Sequence, residues 1–87
     1  MNDIVRIAAV SLTAAEQVLY SNKCIVRTII LYNTNATEAS VSIVIDSILF
    51  KISLNANETK IIEVVTVSNQ IKASGLGINI HISGVAL

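Results

Sequence analysis

The chain has a single histidine, His81, and its neighbours decide whether it could act as a general base. A general base needs a nucleophile within hydrogen-bond reach and a group that orients it. His81 stands between Ile80 and Ile82 in an alternating run, and neither a nucleophile nor a carboxylate is adjacent. The alternation predicts a strand position that points away from the apolar face. We therefore expect a surface or interface histidine that is not catalytic.

Cys24 is the only cysteine, which excludes a disulfide within the chain. A reactive thiol needs a neighbouring base or a helix N-terminus, and Cys24 instead begins an apolar run. Cysteine in such a setting behaves as a small buried hydrophobe. Because one cysteine and one histidine form no ligand cluster, we expect no metal site, and nothing in the sequence predicts another cofactor.

The carboxylates offer two pairings that could do chemistry. Glu58 and Glu63 have the residue type of a glycosidase pair, but their spacing in a strand protein fixes no separation between the carboxyl groups. Asp46 and Glu38 could supply oxygen ligands to calcium, but no ligand-dense loop surrounds them. Roles in turns and in surface solvation explain these side chains better. We therefore expect a protein that is not an enzyme.

Apolar and polar residues alternate along much of the chain, most clearly from Ser47 to Leu54. Side chains on a strand alternate between its two faces, so this rhythm predicts one apolar and one polar face. The pattern predicts strands at about residues 4–12, 16–20, 24–33, 40–45, 48–54, 60–67, 70–73 and 78–85.

Turn spacings of roughly 8–12 residues favour an antiparallel sandwich over alternating strands and helices. We predict an all-β fold: a single antiparallel β-sandwich of jelly-roll or immunoglobulin-like type, with about eight short strands, forming one domain over residues 1–87. An alternative exists at residues 11–19, where good helix formers and the spacing of Thr13 and Glu16 match a capping box. That segment could form a short helical turn.

The composition favours association. A domain of 87 residues buries only about 60–65% of its unfolded surface, so an isolated copy would be marginally stable. The chain is 53% hydrophobic and 14% charged, whereas ordinary domains carry roughly 25% charged residues. Surplus apolar surface with few charges predicts that a partner covers part of the outside. We expect a homo-oligomer, with a trimer as one candidate.

Charge and hydropathy exclude other classes of partner. Six basic and six acidic residues give zero formal charge, which argues against a nucleic-acid binder with its basic face. Charged residues interrupt every rich apolar segment, so we expect no membrane-spanning helix. No basic region precedes Ile4, as it would in a signal peptide. With the unpaired cysteine, this leads us to expect synthesis in a reducing cytoplasm.

The order of several short motifs resembles a known family. The motifs are Glu16 to Tyr20, Cys24 to Thr34, Leu54 to Thr59, Ile71 to Ser74 and Ile80 to Val85. Together they resemble small β-sandwich virion structural proteins of tailed bacteriophages, of the capsid-decoration (cement) or tail-associated type. That family often has Val-Pro-Ala-Gly where this chain has residues 21–23, and glycine at the position of Asn57. Asparagine tolerates left-handed backbone better than most residues, so the second exchange is mild.

The resemblance implies a non-enzymatic phage structural protein, made in the host cytoplasm and carried in the virion. It favours capsid decoration, with the major capsid protein or another virion protein as the partner. A tail- or fibre-associated subunit is the alternative within that class. A carbohydrate-binding module is the alternative from another class, but sugar-binding faces use exposed aromatic rings, and here only Tyr20 and Tyr32 are available.

Candidate partner contacts follow from apolar residues that the pattern places outside the core. We predict that these are Val44, Leu49, Ile62 and Val64. The region 60–67 breaks alternation with two apolar doublets, which indicates burial on both faces or a β-bulge. This region and the apolar run from Cys24 to Leu31 have more apolar surface than one small core needs, so we expect the partner there.

Overall fold

The computed structural model describes residues 3–87, with the backbone alone at Val64. Its eight strands are β1 (Val5–Ser11), β2 (Gln17–Tyr20), β3 (Cys24–Asn33), β4 (Ala39–Ile45), β5 (Ile48–Leu54), β6 (Thr59–Ser68), β7 (Ile71–Ser74) and β8 (Ile78–Ala86). Each boundary lies within one residue of the position that the alternation predicts. The structure confirms the predicted all-β sandwich.

The pairing of the strands selects between the two predicted types of sandwich. β1 pairs with β8, β2 with β7, β3 with β6 and β4 with β5, all antiparallel, so the chain runs out and back as one long two-stranded ribbon. The ribbon folds over, and the pairs β3–β8 and β4–β7 complete two sheets, with orders β1-β8-β3-β6 and β2-β7-β4-β5. This is the eight-stranded jelly roll.

The helical alternative at residues 11–19 is wrong. Leu12 is buried, and its backbone N–H donates to the Ile78 carbonyl at 2.8 Å. The Thr13 carbonyl accepts from the Gly75 N–H, also at 2.8 Å. These backbone groups are therefore committed to the start of β8 and the turn before it, so they cannot close helical hydrogen bonds.

The buried side chains form one core between the two sheets, filled by the inward positions of the alternating strands. Its members are Ile7, Leu12, Cys24, Val26, Ile29, Leu31, Val41, Ile43, Leu54, Ile71, Ala73, Ile78, Ile80 and Ile82. Burying each of the larger ones contributes about 1.5–3 kcal/mol. The central strands β3 and β8 supply seven of them, so the inward residues of the run from Cys24 to Leu31, where a partner was expected, lie in the core.

A bulge explains why alternation blurs in β3. The register with β8 shifts between Val26 and Thr28, which leaves Arg27 as an extra residue. Buried positions are even-numbered before it and odd-numbered after it. Gly84 lies opposite, and a Cβ there would clash with the Ile25 carbonyl oxygen, so only glycine permits this close approach. The register with β6 shifts at the same point, as the doublets of region 60–67 predicted.

Two turns use left-handed backbone. Asp46 and Ser47 have φ of 51° and 71° and form the two-residue β4–β5 hairpin, which is the geometry of a type I′ turn. Asn57, in the β5–β6 turn, has φ of 56°, a left-handed conformation that asparagine tolerates better than most residues.

Candidate interaction surface

The two open sides of the sandwich differ. On one side the edge strands β1 and β2 contact each other, whereas on the other β5 and β6 diverge and leave a groove of about 540 Å³. Isoleucines from β3, β4, β5 and β6 line most of this groove, together with Phe50 and Val67. Its only charged lining residues among those described are Asp46 and Lys51. The groove is therefore an apolar opening that leads into the core.

The inward side of β5 shows how the sheets separate. Leu54, at the end of β5, is fully buried, and Ile52 is half-buried. Phe50 and Ile48, further along the same side, are 52% and 60% exposed. Phe50 pairs with Ile43, which is 2% exposed, so the change from buried to exposed side chains occurs between neighbouring strands of one sheet. Side chains with a core-facing orientation therefore lie open to solvent along half of β5.

The outward side of the same half-strand is apolar as well. Leu49 is 57% exposed, and it pairs with the half-buried Val44 on the outer side of β4. Exposed edge strands are normally protected by charges, prolines or bulges. The exposed half of β5 carries Lys51 alone for this purpose. We define the seam as the groove together with the exposed apolar residues of β5 and β6.

The β6 flank extends the seam. Ile61, Val65 and Val67 are 59%, 75% and 51% exposed and share the outer side of β6. Exposed apolar residues of this size are individually common on surfaces, and of these three Val67 also lines the groove.

Three of the four predicted contact residues have described side chains, and these lie on or near the seam in different ways. Leu49 is exposed on it, and Val44 is half-buried beside Leu49. The prediction that Ile62 points outward is wrong: it pairs with the buried Ile29, packs against the core and lines the groove floor. The side chain of Val64 lies outside the described part of the chain. Whether any of the four contacts a partner stays a prediction.

The sequence pattern missed Ile48 and Phe50 as surface residues. It assigned both to the apolar face of their strand, and that orientation is correct. Alternation reports which face a side chain takes, and it carries no information about whether the opposite sheet reaches far enough to cover it. The available signal was the second apolar side at Leu49, which is unusual for a strand with one wet face.

The two charged groups of the groove differ in their local partners. The Asp46 carboxylate accepts hydrogen bonds from the backbone N–H groups of Asn69 at 2.7 Å and Gln70 at 3.1 Å, which ties the β4–β5 turn to the β6–β7 turn. Lys51 is exposed. The only ion pair among the described residues joins Lys72 and Glu16 at 3.8 Å, so Lys51 has no carboxylate partner within this part of its chain.

The residues first considered for catalysis lie apart from one another. His81 is exposed on the outer side of β8, between Ala9 and Ile30 of the neighbouring strands, as predicted. Cys24 is fully buried in the core, as predicted. Burial, with a smaller contribution from the charge of Asp46, raises the pKa of the Cys24 thiol above its ordinary value of 9.0. A raised pKa disfavours the thiolate that nucleophilic chemistry needs.

The carboxylates serve local structure. Glu58 accepts a hydrogen bond from the Asn55 N–H at 2.7 Å and closes the β5–β6 turn. Residues 3–87, apart from the side chain at position 64, contain no group of three or more His, Cys, Asp or Glu side chains placed to hold a metal ion. The two tyrosines are both half-buried: Tyr20 packs against the core, and the Tyr32 hydroxyl lies 3.4 Å from the Asn57 side-chain oxygen.

No helix in the described residues has the length and apolar character needed to span a membrane. Comparisons of the chain with protein-family models, curated proteins and solved structures return no match. Function is therefore inferred from the seam, the composition and the motif resemblance.

Proposed function

We propose that this protein is a non-enzymatic structural subunit of a bacteriophage virion, which decorates the capsid and stabilises it through subunit contacts. The observation that carries the proposal is the seam, where core-facing residues such as Phe50 lie open to solvent. Covering apolar surface contributes about 25 cal/mol per Å². A partner that covered the seam would therefore bind by the same force that holds the core together.

Decoration requires no chemistry beyond this burial. A protein that binds the assembled particle and not its separated parts shifts the equilibrium towards the assembled state by mass action. Small adhesive subunits can act in this way without an active site. A raised thiol pKa at Cys24 and an isolated His81 suit a chain that uses its surface for contact and not for catalysis.

The charge balance supports dense packing. Six basic and six acidic residues cancel, and charged residues are 14% of the chain. Copies with zero formal net charge do not repel one another at long range, so many can occupy one particle surface. The jelly roll is also a fold of viral capsid proteins, although it is shared with lectins and other classes, so this supports the proposal by analogy alone.

Quantitative mass spectrometry of purified virions tests the proposal. We expect this chain in a fixed ratio near one copy per copy of the major capsid protein, or a simple fraction of it. A ratio as low as that of tail proteins would move the assignment to a tail- or fibre-associated subunit. Absence from purified particles, in a lysate that contains the protein, would contradict the virion assignment altogether.

A further inference from the structure

Strand β5 is apolar and exposed on both sides over its first three residues. Ile48 and Phe50 project towards the groove and are 60% and 52% exposed, and Leu49 projects the other way and is 57% exposed. Strands with near-continuous apolar runs are typical of positions covered on both faces. A single copy covers neither face of this segment.

The groove beside this segment has the character to receive such a strand. It is apolar, opens between the two edge strands β5 and β6, and offers about 540 Å³. Each edge strand has a neighbour on one side only, so its other side presents unpaired backbone groups. Addition of a strand to such an edge combines backbone hydrogen bonds with side-chain burial.

We propose that a second copy of this chain occupies the seam, with residues Ile48–Phe50 of each copy lying in the groove of the other. The inference deepens the proposed function, because it names the first partner of the adhesive surface. The inference depends on the proposed function only for its place in the virion, because the contact between two copies is argued from the seam alone.

Reciprocal insertion would cover the exposed apolar residues of β5 and of the groove end of β6. These are Ile48, Leu49, Phe50 and Val67, each 51–60% exposed. Each partner of a standard interface buries ~800 Å², so the contact would also use the half-buried lining of the groove.

The charges of the groove complement themselves under two-fold symmetry. In a two-fold symmetric pair, each contact occurs twice: if one residue of the first copy contacts a second residue of the other copy, the same contact forms with the copies exchanged. The groove has one acid, Asp46, and one base, Lys51. Each can therefore face the opposite charge of the second copy, and Lys51, which has no partner among the described residues of its own chain, gains one.

An extended peptide from another protein is the competing occupant. Within the groove it would cover Ile48 and Phe50 but would leave Leu49 in solvent, because Leu49 projects from the outer side of β5. Reciprocal insertion places both sides of β5 between apolar surfaces. The distribution of exposed residues therefore favours a second copy.

Light scattering coupled to size exclusion, over protein concentrations from about 1 to 100 µM, tests the pairing with the purified chain. We expect a mass of twice the 9.3 kDa of one chain. A monomer at the highest concentration would overturn the inference and leave the groove to another occupant. A trimer would equally overturn it, because reciprocal insertion closes with two copies.

Two variants locate the contact. Leu49→Asp places a charge in the pair interface, and Lys51→Glu sets two acids against each other; each should raise the dimer dissociation constant roughly 30-fold or more, the scale of an interface hot spot. Val18→Asp is the matched control, since Val18 is 56% exposed on β2 at the opposite edge of the same sheet. It should leave the dimer intact.

Circular dichroism establishes that each variant is folded, and the surface change Lys51→Glu remains informative if Leu49→Asp does not fold. A dimer that survives Lys51→Glu with unchanged affinity would overturn the assignment of the contact to the groove. Virion mass spectrometry is independent of these results: a dimer absent from particles defeats the proposed function, and a monomer present in particles defeats the pairing alone.

Discussion

Asn33 is a fully buried polar residue at the end of β3, and it joins three parts of the chain. Its side-chain N–H groups reach the carbonyls of Thr37 at 3.0 Å, Leu54 at 3.3 Å and Asn55 at 3.1 Å. Its side-chain oxygen accepts from the Asn35 backbone and side chain, both at 2.9 Å. One amide thereby fixes the loop after β3 against the turn after β5.

Replacing Asn33 should destabilise the fold strongly. Asn33→Ala removes the side-chain donor to the buried Leu54 carbonyl and to the part-buried Thr37 and Asn55 carbonyls, and we expect a loss of about 3 kcal/mol, which lowers the Tm by roughly 12 °C or more for a chain of this size. Thermal unfolding followed by circular dichroism measures the change. Asn79→Ala is the control: it removes one exposed hydrogen bond to Ser11 and should stay within about 0.5 kcal/mol. Equal effects for the two variants would contradict this role of Asn33.

Cys24 predicts a specific dependence of stability on pH. Because burial raises its folded-state pKa above 9.0, the folded chain holds the thiol proton at pH values where the unfolded chain has released it. The contribution of this thiol to the free energy of unfolding is therefore fully present below pH 9.0. It falls as the pH rises above 9.0, by up to about 1.4 kcal/mol per pH unit.

The comparison of the native chain with Cys24→Ala isolates that dependence. Every other titratable group is common to the two proteins, so the difference between their curves reports the thiol. We expect urea unfolding between pH 8 and 10.5 to show a steeper loss of stability for the native chain than for the variant. Parallel curves for the two would show that the thiol proton does not contribute.

At the scale of elements, the β4–β5 hairpin carries backbone strain that glycine would relieve. Ser47 has φ of 71°, in the left-handed region that costs residues with a Cβ roughly 1–2 kcal/mol. After allowing for the greater entropy of an unfolded glycine, Ser47→Gly should stabilise the fold by about 0.5–1 kcal/mol. Ser53→Gly, within the extended part of β5, should instead destabilise it by about the same amount.

Urea midpoints of the two serine variants provide the measurement. Opposite signs are expected because only Ser47 occupies positive φ. If Ser47→Gly proves destabilising, the type I′ geometry assigned to this turn is contradicted.

The sequence was sufficient to predict the strands but not how far the two sheets separate at their edge strands. Alternation from Ser47 to Leu54 predicted both the extent of β5 and the side to which Phe50 points, because the period of a strand is a local property. The groove depends on how far two sheets diverge, and this is set by contacts between residues distant in sequence. For the same reason, the hydrogen bond from Asn33 to Thr37 could be predicted from neighbouring residues in the sequence. The hydrogen bonds from Asn33 to Leu54 and Asn55 could not, because they join distant parts of the chain.

Ile62 illustrates a similar limit. Its neighbour Ile61 is apolar too, so the pattern alone could not decide which of the two faces the core. The register with β3 decides it, because Ile62 pairs with the buried Ile29 and Ile61 pairs with the exposed Ile30. A doublet in a strand is resolved by its pairing partner.

At the scale of the whole molecule, the two open sides of the sandwich differ. The edge strands β1 and β2 contact each other, whereas β5 and β6 leave a groove with exposed apolar residues around it. An 87-residue chain has little stability to spare, so apolar surface kept exposed in this way is best explained by a partner. In our account the partner is first a second copy and then the virion surface.

Cryo-electron microscopy of the virion tests this account most directly. We predict density for the jelly roll on the outer surface of the capsid, with Phe50 and Leu49 covered by a neighbouring copy or by the major capsid protein. Density on the capsid with the β5–β6 seam facing solvent, or a capsid without this density, would contradict it.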